Sequence, residues 1–219
     1  MSAGFLFFAE KLPHPMKGTF LLISIAFFLL SSSRIVKAQD WEFKKERDGI
    51  KVYTREEPNS AMKSFKGVTD LHTSMEKVME VVGNVQNNDW WDKNITEIRI
   101  LFHEKDRFVK YYLVYDVPWP LTDRDLCVES KFSADPVTGE RFVNSVSLLN
   151  VVPERKDRVR IKKYWQKWII QPKGKGVVHV TLEGSVDPGG IVPAWLYNMV
   201  ITETPLKVIS GIKKRVEAP

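Results

Sequence analysis

The stretch Pro193 to Val216, PAWLYNMVITETPLKVISGIKKRV, decides the architecture. Trp195, Met199, Thr202, Leu206, Ile209, Ile212 and Val216 recur at spacings of three and four, which predicts one amphipathic helix over residues 193 to 216, roughly 36 Å long at 1.5 Å per residue. Pro193 suits its first turn. Pro205 removes a backbone donor and predicts a bend within the helix, and Gly211 lowers its local stability. Lys207, Lys213, Lys214 and Arg215 lie in the second half, where cations favour the helix dipole. A helix this long with an apolar face needs a sheet to lie on. It either fills the sheet's concave side or encloses a cavity there, and the pattern leaves both open.

The chain before it supplies that sheet. GIKVYTR (49 to 55) and AMKSFKGVTDL (61 to 71) read as strands separated by the turn residues Pro58 and Asn59. Thr73 with Glu76 three residues on fits a capping box. Met75, Val78, Met79 and Val82 then share one helical face, so a first helix ends near Gly83. Further β-like runs follow at 95 to 104, 108 to 117, 125 to 132, 140 to 151, 158 to 170 and 177 to 186, joined by turn signals such as Asp135-Pro136 and Gly174-Lys175-Gly176. The expected class is α+β, a curved antiparallel sheet closed by the C-terminal helix.

Composition limits what such a domain does. The 219 residues are 43% apolar and 27% charged, a profile that fits one domain with a substantial core. Of 33 basic and 27 acidic side chains, the first 38 residues hold four basic ones (Lys11, Lys17, Arg34, Lys37) and one acidic (Glu10). The remaining 29 and 26 leave only about +3, too weak and too dispersed to point to nucleic acid. Cys127 is the sole cysteine, so neither an internal disulfide nor a cysteine-based metal site is available. The apolar run TFLLISIAFFLL (19 to 30) follows Lys17, and Val36-Lys37-Ala38 offers small residues where a signal peptidase reads. Its twelve residues span about 18 Å as a helix, short of the ~30 Å hydrocarbon core. Residues 1–38 are therefore read as a signal peptide cleaved after Ala38, with a retained membrane anchor as the alternative. Residues 1–15 look like an extension upstream of the true start at Met16. The domain is residues 39–219, exported to a periplasmic or extracellular location.

Three motifs carry a family resemblance. Asp48-Gly49-Ile50-Lys51-Val52-Tyr53 with Arg55, then Asp116-Val117-Pro118-Trp119-Pro120-Leu121-Thr122-Asp123-Arg124-Asp125, and lastly Asp187-Pro188-Gly189-Gly190-Ile191-Val192-Pro193-Ala194-Trp195-Leu196 are similar in order and spacing to the opening strand, the proline-rich turn and the pre-helix loop of START lipid-transfer domains. The resemblance runs from about Trp41 to the end. It implies a helix-grip fold with a hydrophobic chamber between sheet and final helix, holding one lipid without chemistry. It departs at the start, where the family carries more helix than the residues after Gln39 can supply.

The resemblance and strand parity together select residues. Tyr111, Leu113 and Tyr115 share one face of their strand and Lys110 and Tyr112 the other; the first set is the one the family turns inward. Tyr111 and Ser130 look like the positions where some family members meet a head group. No buried ion pair is offered there, which favours a neutral or weakly polar ligand, sterol-like or diacyl. Trp195, Met199, Thr202 and Leu206 are the helix residues expected at the cavity, and Gly189, Gly190 and Pro205 the places for a gate to flex. Arg124 and Asp125 are read as structural, tying the turn to the sheet. Neither a cofactor nor a metal is expected, since His72, His103 and His179 stand apart and no phosphate loop or nucleophile motif is present. A monomer with transient membrane contact is expected.

Two other functions stay open. One is a polyketide cyclase or aromatase, which shares the helix-grip fold but belongs in the cytosol with its synthase. The other is a membrane-surface module using Arg158, Arg160, Lys162, Lys163 and Lys167 with Tyr164, Trp165 and Trp168, although alternation divides Trp165 from Trp168. Trp90 and Trp91 form a second aromatic pair that could touch a membrane. Asn94-Ile95-Thr96 matches a glycosylation sequon.

Overall fold

The computed structural model describes residues 40–86 and 91–217. Residues 1–38, on which the signal-peptide reading and the reading of an upstream extension fall, and Trp90 lie outside the described residues.

A ten-stranded sheet forms the body. Its strands are β1 (Glu42–Arg47), β2 (Ile50–Arg55), β3 (Ser64–His72), β4 (Ile95–Glu104), β5 (Phe108–Tyr115), β6 (Arg124–Ala134), β7 (Arg141–Ser147), β8 (Val159–Arg160), β9 (Lys163–Gly174) and β10 (Val177–Asp187). The order is β1-β2-β3-β10-β9-β7-β6-β5-β4, antiparallel throughout, with β8 pairing parallel to β6. Helix α1 (Met75–Gly83) follows β3, and α2 (Ala194–Val200) and α3 (Glu203–Val216) close the chain. The fold is the expected α+β arrangement of a curved sheet gripped by C-terminal helix.

Two elements differ from expectation at the front. Residues 42–47 form β1, because Asp48 and Gly49, both at positive φ (54° and 76°), make a two-residue hairpin turn into β2. Helix α1 is capped by Ser74, whose hydroxyl accepts the Lys77 N–H at 3.2 Å, rather than by Thr73. The run read as one strand over 158 to 170 is broken into β8 and β9.

The C-terminal segment is two helices, not one bent at Pro205. The break falls at Ile201–Thr202, and Pro205 is the third residue of α3, where its missing N–H belongs to the unpaired first turn and costs nothing. Pro205 is buried, and with Ile209 it rests on β3 at Gly67: a Cβ there would stand 2.7 Å from Pro205 Cβ and 2.6 Å from Ile209 Cδ1. Only a glycine lets the helix come this close. Leu206, Ile209, Ile212 and Val216 complete the core with Ile50, Val52, Leu71, Val180 and Leu182 from the sheet. Helix α2 is held separately, since the Asn198 side chain accepts the Lys63 N–H and donates to the Ala61 carbonyl, each at 2.9 Å.

Candidate functional site

Between the concave face of the sheet and the two closing helices lies a cavity of about 480 Å³, within the ~300–1,000 Å³ of single-ligand sites. Strand alternation builds its walls. On β5, Tyr111, Leu113 and Tyr115 line it, while Tyr112 turns to the opposite face. On β6 the lining positions are Arg124, Leu126, Ser130 and Phe132; on β9 they are Tyr164, Gln166 and Trp168. Leu196, Tyr197, Val200 and Ile201 from α2 and its C-cap, with Thr204 and Val208 of α3, form the lid. Trp91 packs against Tyr111 in the same wall, with ring centroids 6.0 Å apart.

The floor carries a belt of neutral polar groups. Ser130, Ser145 and Gln166 stand directly opposite one another across β6, β7 and β9. Ser130 and Ser145 share a 2.7 Å hydroxyl bond, and the Tyr164 hydroxyl donates to Gln166 Oε1 at 3.2 Å. Burial pushes the Tyr111 phenol up to about 12, against the opposing hydrogen bond from Ser130. Tyr115 also rises to about 12, through burial first and then the Asp92 carboxylate that accepts its proton at 2.7 Å. Both phenols therefore stay neutral donors at physiological pH. A belt of this kind can satisfy one or two hydrogen-bonding groups of an otherwise apolar molecule, and it offers no nucleophile with an adjacent base.

The helix residues expected at the cavity lie elsewhere. Trp195 and Met199 are 68% and 64% exposed, on the outer side of α2. The interruption before α3 is the reason: a stripe drawn through one continuous helix does not hold across two pieces, and the cavity-lining residues of the first piece are Leu196, Tyr197 and Val200. Thr202 sits half-buried at the junction, outside the cavity wall, and Leu206 is buried in the core beside it. Gly189 and Gly190, at φ of 63° and 64°, hold the loop between β10 and α2 in a left-handed conformation. The basic and aromatic stretch is divided between two sides: Lys162 and Lys163 are exposed, whereas Trp168 is buried and lines the cavity with Tyr164 and Gln166. Period-two alternation through 164, 166 and 168 was the available signal for these three.

Arg124 and Asp125 do not pair with each other. Neighbours on a strand point to opposite faces, and Asp125 lies on the outer side of the sheet, bidentate to Arg160 at 2.7 and 2.9 Å and accepting from Tyr112 at 3.0 Å. Arg160 also donates to the Val152 and Pro153 carbonyls, which pins the β7–β8 loop across that side. Arg124 is only 4% exposed and lies in the cavity wall. Its guanidinium donates to the carbonyls of Thr122, Pro188 (3.3 Å) and Gly189 (3.5 Å), tying the β5–β6 loop to the β10–α2 loop. The cavity wall thus contains a cation in addition to the neutral residues at 111 and 130.

The family model described as START domain matches residues 29–219. An uncharacterised protein of Pseudomonas aeruginosa is 28% identical over 208 residues, covering 92% of this chain and 99% of its own length. The phosphatidylcholine transfer protein of Rattus norvegicus is 26% identical over 167 residues, covering 73% of this chain and 75% of that protein. Among solved structures, a STAR-related lipid transfer protein fragment from Xanthomonas axonopodis superposes with a TM-score of 0.74 at 26% identity, over 81% of this chain and 98% of the fragment.

Proposed function

Since the chain belongs to the START domain family, we propose that it binds a single lipid molecule in the internal cavity and carries it between membranes, without catalysing a reaction on it. The observation that carries this is the cavity itself: a largely apolar chamber crossed by a neutral hydrogen-bonding belt, with Asp92 and Arg124 as the charged residues of its wall. Each methylene taken from water into such a chamber gains about 0.8 kcal/mol, so the lipid leaves a bilayer for surroundings of similar polarity and exchange runs near equilibrium. The belt suits the hydroxyl of a sterol-like ligand or an ester carbonyl of a diacyl lipid.

Transient membrane contact is part of the same proposal, now through different residues from the aromatic stretches that suggested it. Trp119 and Ile191 are 91% and 94% exposed on the two loops that Arg124 ties together, and Trp195 and Met199 lie on the outer face of the lid. Large exposed apolar side chains on the loops and helix that border a lipid chamber favour insertion into the interface of a bilayer. Export, with the mature chain starting at Gln39, is proposed from the leader-like segment; N-terminal sequencing of protein recovered from the producing cells tests it.

Native mass spectrometry of the purified protein, followed by denaturing extraction, tests the binding. A stoichiometric adduct released as a lipid is the expected result. Protein that is empty and binds nothing from a broad lipid panel would overturn the proposal.

A further inference from the structure

The chain buries two arginines in its sheet, and they are treated differently. Arg160 has a full counter-charge, the bidentate Asp125 carboxylate. Arg124, equally buried, forms no ion pair with any carboxylate among the described residues. Three carbonyl oxygens are its partners, and the Nη2 bond to Gly189 at 3.5 Å is at the limit of hydrogen bonding. A guanidinium has five N–H groups, so two have no acceptor among the described residues, one on each terminal nitrogen. Burial pulls its pKa down from the usual guanidinium value, with Asp123 acting weakly the other way; the group nonetheless keeps its charge. An isolated buried cation is costly, and the cost falls when an anion meets it. Asp92, the other charged residue of the wall, is already engaged by the Tyr115 hydroxyl and the Asn94 N–H at 3.0 Å.

We propose that Arg124 is an anion subsite in the cavity wall, receiving the phosphate or carboxylate of a lipid whose acyl part fills the chamber. This rests on the lipid-carriage reading above and narrows it, favouring an anionic lipid over a sterol or a neutral glyceride. The planar fork matches two oxygens of either anion. The same guanidinium bridges Thr122 to Pro188 and Gly189, so the anion arrives at the joint between the two loops.

The test compares lipids that differ only in the anion. The protein is equilibrated with equimolar dioleoyl phosphatidic acid and dioleoylglycerol, and separately with oleate and oleyl alcohol, and bound species are counted by native mass spectrometry. Loading is done in about 0.5 M salt to screen surface lysines. At least one anionic lipid should exceed its neutral partner by about tenfold or more, the size of one hydrogen bond to a charged group; which pair shows the preference distinguishes phosphate from carboxylate. In Arg124→Gln the ratio should fall to near one while the neutral lipid still binds. Arg124→Lys, which keeps charge and loses the fork, should give an intermediate ratio, and it serves if the glutamine variant fails to fold. A Lys207→Gln/Lys214→Gln surface variant should keep the full ratio. Equal occupancy within both pairs in the unmodified protein overturns the subsite, as does a full preference retained in Arg124→Gln. Binding of none of the four lipids by protein that takes up another lipid from the broad panel would overturn the subsite alone, and binding of nothing from that panel would overturn lipid carriage itself.

Discussion

Replacing Gly67 by alanine tests the contact that seats α3 on the sheet. The added Cβ would stand 2.6 Å from Ile209 Cδ1 and 2.7 Å from Pro205 Cβ, against the 3.5–4.0 Å of an ordinary carbon contact. The isoleucine tip can rotate away. The proline ring cannot, so the first turn of α3 must lift by about 1 Å, the difference between those separations. Overpacking of this kind costs about 1–3 kcal/mol, and replacing a strand glycine returns about 0.5–1 kcal/mol. The net loss centres near ~1 kcal/mol, which for a domain of this size lowers Tm by roughly 2–4 °C. Thermal unfolding followed by circular dichroism measures it. Ile209→Val in the same protein removes one of the two clashing atoms, so the double variant should show a coupling of about 0.5 kcal/mol or more. An unchanged or raised Tm in Gly67→Ala would refute the account of how α3 is seated.

Other expectations follow from the remaining sites. Asp125→Ala leaves Arg160 as a buried unpaired cation and should cost about 3–5 kcal/mol, measured by denaturant unfolding. Burial raises the Asp125 pKa, but hydrogen bonds from Arg160 and Tyr112 outweigh it and the net value is lowered. Its contribution is therefore complete above the unfolded value of about 3.9 and is lost as pH falls through the lower folded one; unfolding curves between pH 5 and 2, roughly the window of such a group, should converge with those of the variant. Gln166→Leu removes the partner of the Tyr164 hydroxyl and one third of the polar row, and should weaken a ligand hydrogen-bonded there by about 1 kcal/mol in a binding titration, with little effect on a plain hydrocarbon. Trp119→Ala, at an exposed loop tip, should slow lipid transfer between vesicles while changing the unfolding free energy by no more than about 0.5 kcal/mol; an unchanged transfer rate would remove Trp119 from the membrane contact.

Much of the architecture was legible because two periodicities carry it. Alternation on β5 separates Tyr111, Leu113 and Tyr115 from Tyr112, and the same parity on β6 places Ser130 on the face shared with Arg124. The DPGG motif and the apolar spacing after it mark the closing helices. What alternation supplies is a face, and a face is enough to find the wall of a cavity built from strands. The lid was harder. A three-and-four spacing runs unbroken from Trp195 to Val216 in the sequence, and nothing in that spacing shows that the helix is interrupted at Ile201–Thr202. Asn198 holding the 61–63 segment and Pro205 resting on Gly67 direct the two pieces separately, and both partners are more than a hundred residues away.

The sequence by itself determined the α+β class, the order of the elements, the inward face of β5 and the family resemblance, since each depends on residues close together in the chain. Only the tertiary structure decided what the charges do. Arg124 and Asp125 are adjacent, yet one meets carbonyls 64 and 65 residues later and the other a guanidinium 35 residues later. Electrostatic compensation depends on distance in space and on removal from water, and neither quantity is written in a linear order of side chains.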